Sequence, residues 1–206
     1  MKRNKDGNTE QQILEAAETL FLEKGFALTS TTEIAKVAGC NQALVHYYFR
    51  TKEKLFEAIF EKKAHLFFSV IFQDENTDKS FEQRLQETIE AHFDIVAANS
   101  KIPFLFINEL TTNQQRLITL SGEFVSVREV AFRKIEQELQ AEIKKGTIRP
   151  MKLIDLLITV ISLNLTLFLV KPIIKVITNI SDEDFQKLIA HRKEENVKII
   201  LNSLKP

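Results

Sequence analysis

The sequence predicts an all-α protein of about nine helices, and three observations carry that expectation. Only five Gly and four Pro occur in 206 residues, which leaves few places to break a helix. No stretch alternates polar and apolar residues for long, so strands are not expected. Helix-start signals recur at Ser30 with Glu33, at Asn41, at Ser80 with Gln83 and at Ser181 with Asp184, each ahead of an apolar pattern at helical spacing.

In chain order, residues 1–8 read as a flexible arm, with basic residues but no apolar run behind them and hence no secretory signal. Ser30 and Glu33 fit a capping box in which hydroxyl and carboxylate each satisfy a backbone N–H of the other residue. The helix they open presents Ile34, Ala35, Val37 and Ala38, and Gly39, which tolerates a left-handed backbone, stops it. Asn41 caps a second short helix from Gln42 to Phe49, with Leu44, Val45, Tyr48 and Phe49 inward and Gln42, Ala43, His46 and Tyr47 outward. Two short helices across a tight glycine turn form a helix-turn-helix. The outward residues suit a recognition helix: an amide reads adenine, a small side chain allows close approach, and His and Tyr donate to bases or phosphates. Thr51 opens the next helix, and Lys52, unfavourable at a helix N-terminus, is expected to answer an outside anion such as phosphate.

Further helices are predicted at about Lys52–Phe72, broken by the polar QDENTDK loop, and at Ser80–Ala98, with Phe81, Leu85, Ile89, His92, Phe93 and Val96 inward. Pro103 stands near the start of the short apolar segment PFLFINEL, and Asn113 or Ser121 caps or bends a long helix that Gly146 ends. Pro150 precedes a helix at about Lys152–Val170, and the last runs from Ser181 to near Leu204. Residues 153–170 approach the length of a membrane span, but Asp155 and Asn164 within them argue for burial in a protein core or between subunits, so no membrane partner is expected.

Formal net charge is zero, so no whole-protein field points to nucleic acid. Between Gly39 and Lys52, however, Arg50 and Lys52 occur with no acid, a local basic footprint. The single cysteine, Cys40, fits a reducing cytoplasm and acts as a small hydrophobe in the helix-turn-helix turn. No HExxH, Glu-x-x-His, GxSxG or glycine-rich phosphate loop is present, and His46, His65, His92 and His191 share no ligand-like spacing. No catalytic residue, metal or cofactor is expected; the readings that compete with DNA binding are a helical bundle enzyme with an unsignalled site and a helical interaction protein without DNA binding.

The string from IAKVAG through VHYYFRTKEKLF resembles the DNA-binding domain of TetR-family transcriptional regulators, in Ile34-Ala35, Ala38-Gly39, Tyr47-Tyr48-Phe49 and Lys52-Glu53. Upstream, ILEAAETLFLEKGFALTSTT is similar to the family's first helix, with Ala16-Ala17, Leu20-Phe21 and Gly25-Phe26. The resemblance implies phosphate contacts from Thr31, Asn41, Tyr47 and Lys52 and base-edge readout by Gln42, Ala43, Leu44 and His46. His46 and Ala43 depart from the family's usual Tyr and Gly. It further implies a helix-turn-helix domain over 1–52 and a helical ligand-binding and dimerisation domain over 53–206. Pairing would use the last two helices, with Leu156, Leu163, Phe185, Leu188, Ile189, Ile199 and Ile200 as contacts. An inducer site in the middle helices would use apolar walls from Phe93, Phe104, Phe106, Phe124, Phe132 and Phe168 and polar handles from His92, Asn108, Glu109, Arg128 and Asn164. The protein so implied is a cytoplasmic homodimeric repressor that binds a palindromic double-stranded DNA operator and is released by a small apolar or aromatic ligand.

Overall fold

A computed structural model describes the backbone of residues 3–69 and 78–206, and the side chains of 8–66, 78–114, 118 and 132–206. Every regular element among the described residues is a helix: α1 (Arg3–Leu28), α2 (Thr31–Val37), α3 (Gln42–Phe49), α4 (Lys52–Ser69), α5 (Phe81–Ala98), α6 (Ile102–Thr112), α7 (Gln114–Lys145), α8 (Leu153–Leu169), α9 (Lys171–Thr178) and α10 (Asp182–Leu204). That is one helix more than the sequence suggests. The addition is α9, where Pro172 stands in the first turn. A proline there initiates rather than breaks, because its missing N–H has no intrahelical acceptor at that position. A second difference lies at the start of the chain, since α1 begins at Arg3 and residues 3–8 are helical rather than a flexible arm. A single Gly7 in that stretch is tolerated because the helix continues into the apolar face beginning at Ile13. The expected end of the fourth helix at Phe72 and most of the QDENTDK loop lie outside the described residues.

The chain forms two compact units, one of Met1–His65 with Phe104–Leu120, the other of Leu66–Pro103 with Ser121–Pro206. In the first unit Ile13, Ala17 and Phe21 of α1 are buried together with Ile34, Val45, Leu55 and Phe56. Phe21, Phe26 and Phe56 meet with ring centroids 5.3 to 5.6 Å apart, two of the three pairs edge-on. Such packing joins the end of α1 to the first turns of α4 and contributes beyond simple area burial. Gly25 (φ 82, ψ 166) interrupts α1 in a region that only glycine enters readily, and lets Phe26 turn back onto Phe21. Thr29 secures this corner, its hydroxyl donating to the Gly25 carbonyl at 2.8 Å.

In the second unit, α5, α7, α8 and α10 share a core of Ile89, Leu139, Leu156, Val197 and Ile200. A neighbouring cluster gathers Phe93, Val96, Leu167, Phe168 and Phe185. Arg84 to Glu138 at 2.8 Å and Lys193 to Asp94 at 2.7 Å add ion pairs between helices at its surface. No single helix among the described residues is long and apolar enough to cross a membrane; α8 and α9 pass that test only as a pair, bent by 54°.

Candidate nucleic-acid interface

The site is built by its caps. Ser30 Oγ accepts from the Glu33 N–H at 3.2 Å, and the Glu33 carboxylate accepts from the Ser30 N–H at 3.1 Å, a complete capping box for α2. Lys24 donates to the same carboxylate at 2.5 Å and so ties α2 to α1. The Lys24 hydrogen bond, followed by those from Ser30, holds the Glu33 carboxyl down to about 2. Gly39 (φ 67) turns the chain, and the Cys40 N–H closes back on the Ala35 carbonyl at 2.9 Å. Partial burial pushes the Cys40 thiol up, as suits a packed rather than a reactive sulfur. Asn41 Oδ1 then accepts from the Leu44 N–H at 2.9 Å and starts α3.

On α3 the inward side chains are Val45 and Phe49, buried, with Leu44 and Tyr48 half-buried. Gln42, Ala43, His46 and Tyr47 face outward, Tyr47 at 68% exposure, which is high for a ring with no role outside the domain. Seven of the eight residues read as DNA-binding, namely Thr31, Asn41, Gln42, Ala43, Leu44, His46 and Tyr47, come from α2, α3 and the turn between them. The outward row is also bonded within itself. Gln42 Nε2 lies 3.0 Å from Thr31 Oγ1 and 3.4 Å from His46 Nε2, and His46 Nδ1 lies 3.0 Å from the Arg50 carbonyl. Of these links only the four-residue spacing of Gln42 and His46 is visible in the sequence.

Lys52 departs from its expected part. Its ammonium donates to the carbonyls of Phe26 and Thr29, both at 2.9 Å, and stands 4.3 Å from the centre of the Phe26 ring. Its charge is therefore answered by carbonyls and a ring face at the end of α1, not by an outside anion alone. The chain reaches that position through Arg50 (φ 62, ψ −56), where the Thr51 N–H donates to the Phe49 carbonyl at 2.6 Å. This is a positive-φ γ-turn, strained for any residue with a side chain. Thr51 Oγ1 then accepts from the Lys54 N–H at 3.1 Å and caps α4.

Comparison with known proteins bears on this geometry. Residues 13–59, which span α1 to the first turns of α4, match the family model for bacterial regulatory proteins of the TetR family. Over this stretch the chain is similar to the TetR family. It is 29% identical over 105 residues to the HTH-type transcriptional activator FasR of Mycolicibacterium smegmatis, covering 50% of this chain and 48% of that protein. To the fatty acid metabolism regulator protein of Bacillus subtilis it is 26% identical over 106 residues, covering 52% and 54%. The chain thus spans about half the length of these two relatives. A TetR-family bacterial regulatory protein from Rhodococcus RHA1 superposes with a TM-score of 0.72 over 96% of this chain and 97% of that one, at 21% identity, a likeness of fold. Family and relatives are regulators, not enzymes. Among the described residues no group of three His, Cys, Asp or Glu could hold a metal ion.

The residues expected at a TetR-type inducer site are divided between the two units. Phe104 is 66% exposed and Asn108 is exposed, both in the first unit. Phe93 and Phe168 are buried against each other, ring centroids 5.5 Å apart, and fill the core. Phe132 packs on the other cluster of the second unit. The side chains of Phe124 and Arg128 lie outside the described residues. His92 and Asn164, expected as polar handles, are occupied by the protein itself. The Asn164 amide nitrogen donates to the Ile89 carbonyl and to His92 Nδ1, both at 3.0 Å, and its oxygen accepts from Asn196 Nδ2 at 3.0 Å. Asn196 also donates to the Leu163 carbonyl and accepts from Arg192 at 2.6 Å. Burial lowers His92 to about 4, in keeping with an Nδ1 that must remain an acceptor.

The expected pairing contacts divide in the same way. Leu156, Phe185 and Ile200 point into the core of their own chain, at 2% exposure or less. Helical spacing marks an apolar stripe but does not tell whether it meets its own core or a second copy. Leu163, Leu188 and Ile189 are half-buried and Ile199 is exposed. The outward apolar row of α8 is instead Ile154, Ile158 and Ile161, at helical spacing.

Proposed function

We propose that the protein is a transcriptional regulator that binds DNA as a homodimer, with α3 of each protomer in the major groove of one half of a palindromic operator. The observation that carries this reading is the outward row Gln42, Ala43, His46 and Tyr47, exposed on a helix whose inner face is buried and whose N-terminus is capped. Thr31 and Asn41, at or beside the helix starts of α2 and α3, and Tyr47 contact phosphates, while Gln42, Ala43, Leu44 and His46 lie over base edges. Lys52 is chiefly a positioning residue, holding α4 against the end of α1, and its remaining N–H makes the phosphate contact that the family implies.

One short helix reads only a few base pairs, so a second copy supplies the rest of the affinity. The exposed Ile154, Ile158 and Ile161 of α8 with Ile199 of α10 form the surface on which that copy docks. The effector is a small apolar or aromatic molecule that releases a repressor from its operator by favouring one of two states. A long-chain acyl compound is the first to test, given the fatty acid metabolism for which the Bacillus subtilis relative is named. Selection of bound duplexes from a random pool tests the central reading. A palindromic consensus is expected; a pool that stays random would sink it.

A further inference from the structure

We infer that Gln42 meets its base as a hydrogen-bond acceptor, so that the operator position beneath it carries an exposed amino group, N6 of adenine or N4 of cytosine. The inference rests on the DNA-binding reading and deepens it.

A backbone carbonyl starts the chain of assignments. The Arg50 oxygen only accepts, so His46 Nδ1, 3.0 Å away, carries the proton between them. In the neutral imidazole Nε2 is then an acceptor and needs a donor. The neighbour at 3.4 Å is Gln42, and of its two terminal atoms only the amide nitrogen bears hydrogens. That nitrogen also lies 3.0 Å from Thr31 Oγ1. Both amide hydrogens are thereby assigned, one to Thr31 and one to His46. The carbonyl Oε1 is left to face solvent on an exposed residue in the first turn of α3. First-turn side chains of a recognition helix are the ones that reach base edges.

The consequence for readout is specific. A bidentate grip on adenine uses the amide oxygen and one amide hydrogen together, and here it would break a bond to Thr31 or His46. A lone acceptor is satisfied equally by adenine N6 and cytosine N4. Guanine and thymine present O6, N7 or O4 on their major-groove edges, so lone pair would face lone pair. Gln42 therefore separates adenine and cytosine from guanine and thymine on one strand, without telling adenine from cytosine.

The test is selection from a random duplex pool at pH 8 with the full chain as wild type, Gln42→Glu, Gln42→Lys and Thr31→Val. The wild type is expected to show one half-site position enriched about tenfold in adenine or cytosine over guanine or thymine. Gln42→Glu, an acceptor only, keeps that bias, and Gln42→Lys, a donor only, turns it to guanine or thymine. Thr31→Val frees one amide hydrogen and narrows the position towards adenine. A wild-type bias to guanine or thymine, lost in Gln42→Glu and kept in Gln42→Lys, would show the amide acting as donor and overturn the inference. So would an unchanged consensus in all three variants. A wild type that enriches nothing defeats the DNA-binding reading itself and is recognised before any variant is made.

Discussion

Two amide–histidine networks stand in this molecule, and their surroundings give them opposite work. On α3, Gln42 and His46 are exposed, and their bonds to Thr31 and the Arg50 carbonyl leave the Gln42 oxygen open to a partner. In the helical bundle, Asn164 is fully buried and bonded at both amide atoms, to Ile89, His92 and Asn196. The histidine tautomers differ accordingly: His46 donates from Nδ1 to a carbonyl, whereas His92 accepts at Nδ1 from an amide. On the DNA-binding reading proposed above, the same chemistry serves as a reader where water can be displaced by DNA and as a joint between helices where it cannot. Buried polar groups must be closed among themselves, and among the described residues no buried side-chain N or O lacks a partner.

The contrast is tested most severely at Asn164. Asn164→Leu should cost about 3 kcal/mol in urea unfolding, since it strands His92 Nδ1, the Asn196 amide and the Ile89 carbonyl together. A loss below about 1 kcal/mol would remove the network's claim to be a joint. Acid gives the next largest effect. His92 is lowered to about 4 by burial, so between its unfolded value near 6.5 and about 4 the unfolded chain binds the extra proton. The His92 contribution is therefore complete above about pH 6.5 and falls as pH drops, by about 2.5 kcal/mol at pH 4.5. Unfolding curves of wild type and His92→Gln at pH 7.5 and 4.5 separate this from the acid loss shared by carboxylates. Parallel losses in the two proteins would contradict it. The smallest effect is expected at the exposed histidine: His46→Ala should change stability by no more than about 0.5 kcal/mol while altering the selected operator. If it unfolds the domain instead, the outward network is a joint as well, and the comparison collapses.

The first unit is the more legible in the sequence because its information is local. Ser30 with Glu33, Gly39 and Asn41 announce themselves within a few residues, and each is found in its part. The residues outward on α3 are given by the same spacing. What escapes such reading depends on distant partners. Nothing near Lys52 says that the carbonyls of Phe26 and Thr29, more than twenty positions earlier, take its charge. Asn196 sits in a helix crowded with charged residues and reveals its part only against Asn164, 32 positions away. Likewise Leu156 and Ile154 are chemically alike, and only the packing of the bundle decides which one turns inward. Pro172 is ambiguous by itself because proline both ends and begins helices, and the apolar run behind it, Ile173 to Ile177, decides for a new one.

The separation of duties along α3 has a consequence for descent. Val45 and Phe49 hold the helix in place, and the exposed Gln42, Ala43, His46 and Tyr47 take no share in that core. After gene duplication one copy can therefore exchange Gln42, Ala43, His46 or Tyr47 by single codons and remain a folded protein at every step. On the DNA-binding reading, new operators lie within reach of substitutions along this outward row that leave the caps and the turn in place.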